Sequence, residues 1–354
     1  MIKFVMIMKW EGDMEMKGWE KRVTLLAIAG GIAGLFILGG CTDAAKTSKN
    51  VDADAIAEAK QKFQPLGKMP IPKNNSMSPE KIALGETLFK DPRLSGNNTV
   101  SCMTCHNPGL GFSNGTPVSA GIEGKLGTRN SLSVLNAGYH TSFFWDGRAK
   151  TLEEQALGPI ENPVEMDQNL DELIKELKGV ADYQQKFKKV FNDEITKDNL
   201  AKAIAAYERT IVMDKTPFDD YLAGNEEAIS KEAKQGMVLF AGKANCMVCH
   251  GGPTLSDNQF HNIGISGDDP GLLNVTKKDE DRGKFRTPQL RGLMYTAPFM
   301  HNGQFKTINE VVSFYNKGGD KTPNQSELIK PLNLTKEEEK ALVAFLESLS
   351  GDKK

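Results

Sequence analysis

Two short segments of the chain carry unusual chemistry. Cys102-Met-Thr-Cys105-His106 and Cys246-Met-Val-Cys249-His250 are both C-x-x-C-H motifs, 144 residues apart. Two thiols at this spacing can add across the two vinyl groups of a haem as thioethers. The adjacent histidine is then delivered to one axial face of the iron. A thioredoxin-like redox pair, a zinc site and a structural disulfide are the alternatives. A disulfide requires no histidine, and two occurrences behind matching helices favour haem over all three. The motifs therefore predict two covalent c-type haems, with His106 and His250 as proximal ligands.

Helices must position these motifs. Ala83-Leu-Gly85-Glu-Thr-Leu-Phe89 precedes the first, and Lys234-Gln-Gly236-Met-Val-Leu-Phe240 precedes the second. Ser78-Pro79-Glu80 opens the first helix with a cap and a proline at its first position, and Ser230 caps the second. The glycine-to-cysteine distance is 17 residues in one copy and 10 in the other, which reads as one domain type used twice. Leu200, Ile204, Tyr207 and Ile211 recur at helical spacing. Thr335 to Glu338 is a capping box, followed by Ala341, Leu342, Phe345, Leu346 and Leu349 on one face. Alternating β-rich runs are few. Glycine and proline punctuate the stretches after each motif, as expected of loops around a cofactor.

The whole chain has 354 residues, 39% hydrophobic and 25% charged, with a net charge of −2. That balance excludes a disordered chain, a collagen and a polytopic membrane protein. The lack of a basic excess argues against nucleic acid as a partner. Val23 to Gly40 is an uncharged run of 18 residues behind Lys17, Lys21 and Arg22, the pattern of an export signal. It ends Leu38-Gly39-Gly40-Cys41, which resembles the bacterial lipoprotein box. The resemblance implies cleavage before Cys41 and lipidation of its thiol, so residues 1–40 are expected to be a lipoprotein signal peptide. An uncleaved membrane-spanning helix is the alternative. Either way the rest lies outside the cytoplasm, facing the periplasm or the cell exterior, and the anchor makes the membrane a partner. Residues 41–77 are expected to form a tether.

The most specific segment lies between the two motifs. It runs from Asn136 through Phe144-Trp145-Asp146-Gly147-Arg148, Leu152-Glu-Glu-Gln155 and Gly158-Pro159-Ile160 to Glu165-Met166. Here, and over about residues 78 to 350, the chain resembles the bacterial dihaem cytochrome c peroxidases and their MauG-like relatives. The resemblance implies a mainly α fold with two cytochrome c-type haem domains in tandem and long haem-wrapping loops. Residues 78–222 would be the N-terminal, peroxidatic domain and 223–334 the C-terminal, electron-transfer domain. A helix over 335–350 would return to pack on the first. Trp145 matches the tryptophan between the haems. Glu165 matches the distal carboxylate that moves a proton between peroxide oxygens. Gln155 matches the neighbouring amide donor, and Pro159 a residue shaping that pocket. Asn130, Thr296 and Pro298 match ligands of one Ca²⁺ between the domains, where an amide and carbonyl oxygens suit a hard cation.

Two positions depart from the usual peroxidase pattern. A histidine that caps the peroxidatic iron is expected sixteen residues after His106, and Ile122 stands there. His140 is the next histidine and reads as structural, as do His261 and His301. The second haem usually takes an axial methionine, but the matching position is Tyr315, and no methionine follows Met300. The MauG-like branch uses a tyrosine there. Tyr315 is thus the expected ligand and Met300 the alternative. Three functions follow. The first is a hydrogen peroxide reductase fed by a small cytochrome or cupredoxin. The second is a MauG-like oxidase acting on side chains of a partner protein. The third is a plain electron-transfer cytochrome, which needs neither Glu165 nor an open iron. A second copy of the chain is a further candidate partner.

Overall fold

The computed structural model describes residues 52–192 and 194–352. The leader, Cys41 and the first part of the expected tether lie outside them. No helix of the described residues is long and apolar enough to cross a membrane.

Helices α1 (Ala53–Gln61), α2 (Pro79–Lys90), α3 (Cys102–Cys105), α4 (Leu152–Glu161), α5 (Leu170–Lys178) and α6 (Ala181–Phe191) come first. They are followed by α7 (Lys197–Glu208), α8 (Pro217–Leu222), α9 (Lys231–Ala241), α10 (Leu273–Thr276), α11 (Ile308–Lys317) and α12 (Lys336–Glu347). The only regular strands among the described residues are β1 (Phe260–His261) and β2 (Phe285–Arg286), paired antiparallel. The mainly α reading holds.

The caps sit where the sequence put them. The Ser78 hydroxyl accepts from the Lys81 N–H at 3.2 Å, and Ser230 accepts from Ala233 at 3.0 Å. The Thr335–Glu338 box closes in both directions, at 2.8 and 3.2 Å. Each bond satisfies an N–H that a helix start would otherwise leave without a partner.

Two apolar cores result. The first gathers Leu84, Leu88 and Phe89 of α2 with Leu152 and Ile160 of α4, Leu173 of α5, Phe187 of α6 and Leu200 and Ile204 of α7. The second gathers Phe218, Met237, Phe240, Val312, Leu342, Phe345 and Leu346. The helices before the two haem motifs cross their partners in the same way. A Cβ on Gly85 would fall 1.9 Å from the Ala203 carbonyl of α7, and one on Gly236 1.9 Å from the Ala341 carbonyl of α12. Only glycine permits backbones this close.

α12 packs on α9 and α11, because Gly236 makes α9 its close-packing partner, and its Phe345 also meets Phe218 edge-on at 5.1 Å. Past the helix, the Gly351 N–H reaches the Met213 sulfur. α8 joins the second core through Phe218 and Tyr221. The expected tether is structured from α1 onward. α1 packs on α9, and Phe63 makes edge contacts with Phe218 and Phe345, at 5.0 and 5.5 Å between ring centroids. Burying that ring stabilises by roughly 2–3 kcal/mol, which a solvated tether would forgo.

Candidate active site

The first motif begins α3. Cys102 and Cys105 are half-buried free thiols, so the C-x-x-C pair is not a disulfide. His106 places Nδ1 3.1 Å from the Phe112 carbonyl. That bond fixes Nδ1 as the protonated nitrogen and leaves Nε2 as a free electron pair. Burial lowers the imidazole's pKa against the Phe112 bond, so the ring is neutral and ready to ligate.

Glu165 follows α4 in a tight loop. Its Oε1 accepts from the Asn162 amide at 2.6 Å, and its backbone carbonyl accepts from the Ile122 N–H at 2.8 Å. A Cβ on Gly121 would lie 2.1 Å from the Val164 carbonyl, so the two chain segments are pressed together there. Burial pushes the Glu165 carboxyl above its usual range, opposed by the Arg148 charge and the Asn162 bond. The same carboxylate adds to the burial that raises the Cys102 and Cys105 thiols, so it faces the first motif. Gln155 and Pro159 lie one turn apart on α4, both half-buried. Ile122 is 4% exposed and sits in the first core. Its backbone thus holds Glu165, at the place where a capping histidine was sought.

The second motif repeats the proximal arrangement. His250 Nδ1 lies 2.9 Å from the Leu255 carbonyl. Here the structure opens into a cavity lined by Cys246, Cys249, His250, Met300 and Tyr315. Tyr315 projects from α11. Burial pushes its phenol up, and the Cys246 and Cys249 sulfurs add to the effect, which places the hydroxyl across from the attachment thiols. Among the described residues no group hydrogen-bonds that hydroxyl. Met300 lines the same cavity, with φ at +72°. Cys249, Asp257 and His261 bring donor atoms within 4.8 Å of one another. With Cys249 committed to a thioether, two donors remain, too few for a closed metal site.

His140 lines this second cavity too, with Nδ1 3.0 Å from Asn258 Oδ1. Burial, helped by Arg286, lowers its pKa to about 3. It is held by Asn258 in the cavity that carries the second motif. His261 Nε2 pairs with Asp257 at 2.8 Å. His301 stacks on Phe285, with centroids 3.7 Å apart.

Between the motifs stands Trp145, 8% exposed. Its Nε1–H donates to the Asn130 carbonyl at 2.8 Å. Its ring meets His301 edge-on at 6.3 Å. Asn130 and His301 are themselves joined, Asn130 N–H to the His301 carbonyl at 2.7 Å, so the indole is held from one cluster on the cavity wall.

Comparison with known proteins decides what these paired sites belong to. A family model described as di-haem cytochrome c peroxidase matches residues 79–227, and a cytochrome c model matches residues 233–350. Cytochrome-c peroxidase IdrP1 of Pseudomonas sp. (strain SCT) is 41% identical over 329 residues, covering 83% of this chain and 87% of that protein. The methylamine utilization protein MauG of Methylorubrum extorquens is 39% identical over 324 residues, covering 90% and 92%. The chain belongs to the di-haem cytochrome c peroxidase family. Among solved structures, a MauG-like protein associated with microbial copper homeostasis matches with a TM-score of 0.75 at 32% identity, covering 82% of this chain and 94% of that one. The diheme peroxidase BthA from Burkholderia thailandensis matches at 0.70 and 25%, covering 78% and 87%. Two c-type haem domains, as in these peroxidases, account for both motifs.

Several residues of this family member escaped the sequence reading. Arg129 forms a two-point pair with Asp269, at 2.7 and 2.8 Å, and also bonds Asp146 at 2.7 Å. Asp146 sits inside the Phe-Trp-Asp-Gly-Arg segment, but its partner is 17 residues away, and Asp269 is 140 residues from Arg129, so spacing gave no signal. Glu208 on α7 is 4% exposed, with Oε2 bonded to nothing. Burial raises its pKa to about 8.

Proposed function

We propose that this chain reduces hydrogen peroxide to water at its N-terminal haem site, with electrons relayed through the C-terminal site. Two electrons and two protons convert one peroxide to two waters. The observation carrying this reading is Glu165, a partly buried acid of raised pKa, fastened to the backbone of an apolar residue where a histidine cap would stand. Haem held through Cys102, Cys105 and His106, and through Cys246, Cys249 and His250, supplies redox-active iron at each site. The protein's own groups manage protons and position. Glu165, its carboxyl raised above the usual range by burial, can take a proton from one peroxide oxygen and give it to the other. Gln155 offers an amide donor beside it, and Pro159 shapes the wall. Ile122 supplies no ligand atom, so the first site stays open to peroxide. Trp145 connects the two sites.

Tyr315 is the ligand we assign on the far side of the second haem, with Met300 as the alternative. A hard phenolate favours the oxidised iron where a thioether favours the reduced one. One Ca²⁺ is assigned to Asn130, Thr296 and Pro298. Asn130 Nδ2 donates to the Thr116 carbonyl at 3.0 Å, which leaves its Oδ1 for a cation. No hydrogen bond among the described residues uses the Thr296 or Pro298 carbonyl. All three residues line the same cavity. The donor is a small cytochrome or cupredoxin. Export, with lipid on Cys41, places the reaction outside the cytoplasm.

A second reading has a specific observation behind it. Tyr315 in place of a methionine, with 39% identity to a methylamine utilization protein MauG, favours oxidation of a partner protein's side chains with peroxide as oxidant. The deciding experiment for the first reading is Glu165→Gln. Both haems should remain attached while peroxide turnover falls by about 10²–10⁴. Undiminished turnover at full haem content would remove Glu165 from the mechanism. Turnover that requires a protein substrate instead of a reduced cytochrome would favour the second reading.

A further inference from the structure

Arg286, at the end of β2, is 4% exposed and lines the C-terminal cavity. The other well-buried guanidiniums are paired with carboxylates. Arg209 meets Glu153 at 2.7 Å, Arg291 meets Asp219 at 2.6 Å, and Arg129 meets Asp146 and Asp269. Arg286 has no carboxylate among the described residues. Its acceptors are two backbone carbonyls at long range, Phe144 at 3.5 Å from Nε and Thr287 at 3.4 Å from Nη1. Burial lowers its pKa to about 10, and no partner opposes the shift. A buried cation without an anion is strongly unfavourable, so such a group calls for a counter-charge inside the cavity it faces.

The same residue grips the interlobe tryptophan. The Arg286 backbone N–H donates to the Trp145 carbonyl at 2.8 Å, and its Nε points at Phe144, the preceding residue. Gly147 leaves room for this approach: a Cβ there would lie 2.3 Å from the ring of Phe260 in β1, the strand paired with β2. Whatever anion fixes the guanidinium therefore also fixes the loop carrying Trp145.

We propose that Arg286 is the counter-charge for a propionate carboxylate of the C-terminal haem, and through that pair a positioning residue for Trp145. The inference rests on the reading that the second C-x-x-C-H motif carries a haem. A haem's propionates are its only anionic side groups, and a forked guanidinium matches a carboxylate at two points. Loading the second site would thus complete the charge of Arg286 and hold Trp145 at the lobe junction. A point cation would satisfy the charge but not the fork.

The pair has consequences for the potential of the second haem. A fixed positive charge beside the porphyrin favours the reduced iron, which carries one positive charge fewer. It also keeps the propionate ionised. The other charged or titratable groups on the cavity wall are His140, His250, His261 with Asp257, His301, Tyr315, Lys330 and the paired Arg291. Facing His301 from outside the wall are Asp269 and Arg129. His140 and His301 have pKa values lowered to about 3 and about 4, mainly by burial. Neither changes charge between pH 5 and 8. His261 is common to wild type and variants, so its effect cancels in the comparison.

The test uses the full chain matured with both haems, as wild type, Arg286→Gln and Arg286→Lys. Haem count by mass spectrometry comes first, because it separates failure of the haem reading from failure of this inference. Spectroelectrochemical titration of the C-terminal haem from pH 5 to 8 follows. In Arg286→Gln the equilibrium should move toward the oxidised haem by about tenfold, or ~59 mV for one electron. A steeper pH slope than in wild type should also appear, as the propionate takes up a proton on reduction. Arg286→Lys should restore most of the potential. Its propionate bending modes in resonance Raman should still shift, because the fork is lost. Two attached haems in Arg286→Gln, with potential and pH slope equal to wild type, would overturn the inference. If Arg286→Gln does not mature, unchanged propionate modes in Arg286→Lys would do the same.

Discussion

The two haem lobes share a frame and differ in what faces the iron. In both, a capped helix with a central glycine crosses a partner helix at backbone contact, through Gly85 on Ala203 and Gly236 on Ala341. In both, a buried phenylalanine follows the glycine, and the proximal histidine is held by a carbonyl a few residues on. The far sides diverge. The first lobe offers an apolar residue, Ile122, with a raised-pKa acid fastened to its backbone. The second offers a buried phenol, Tyr315, and a guanidinium without a protein counter-charge. Attachment chemistry is thus duplicated while reactivity is not. On the function proposed above, one lobe handles peroxide and protons and the other holds and tunes charge.

Peroxide turnover gives the largest expected break in that comparison. Glu165→Gln should cost about 10²–10⁴ in rate, while Tyr315→Phe should leave the first haem open and change the optical and EPR spectra of the second. Equal spectra in wild type and Tyr315→Phe would move the ligand assignment to Met300.

The next contrast concerns readiness. With Ile122 contributing no ligand atom, and His140 bound in the other cavity, the fully oxidised protein should consume one equivalent of peroxide directly in rapid mixing. A protein that stays inert until half-reduced would show that some other group closes the first site.

The shared frame can be tested in both lobes at once. Gly85→Ala and Gly236→Ala each force a Cβ into a carbonyl, an overpacking cost of about 3 kcal/mol. Each should lower Tm by roughly 6–12 °C. A large drop for one and none for the other would show that the two crossings are not equivalent.

The smallest effect is a pH dependence confined to the first lobe. Burial raises the Glu208 carboxyl from 4.5 to about 8. The folded protein therefore favours the protonated acid, and that advantage is complete below pH 4.5 and lost as pH rises through 8. Relative to Glu208→Gln, wild type should lose Tm progressively between pH 5 and pH 8.5, at roughly 2–4 °C per kcal/mol. A gap that does not vary with pH would mean that folding leaves the Glu208 carboxyl at its unfolded pKa.

The sequence by itself determined whatever is local. The two C-x-x-C-H motifs, the caps at Ser78, Ser230 and Thr335, and the apolar face of α12 all depend on neighbours within a few residues. Capping bonds and thioether spacing obey the same geometry in any fold. The Trp145–Glu165 segment was legible through its resemblance to a family, which named roles but not contacts. Tertiary structure decided the rest. Gly236 marked the repeat before the second motif, but only the packed chain showed that α12 crosses it at backbone contact. The apolar face of α12 fits either lobe, and its pattern carries no address. Likewise His140 and Ile122 share one sequence neighbourhood, yet one lines the second cavity and the other lies in the first core. Glu208 and Arg286 look like ordinary surface charges in the sequence. Their isolation is a property of every atom around them, and no spacing along the chain encodes which buried charge will be left without a partner.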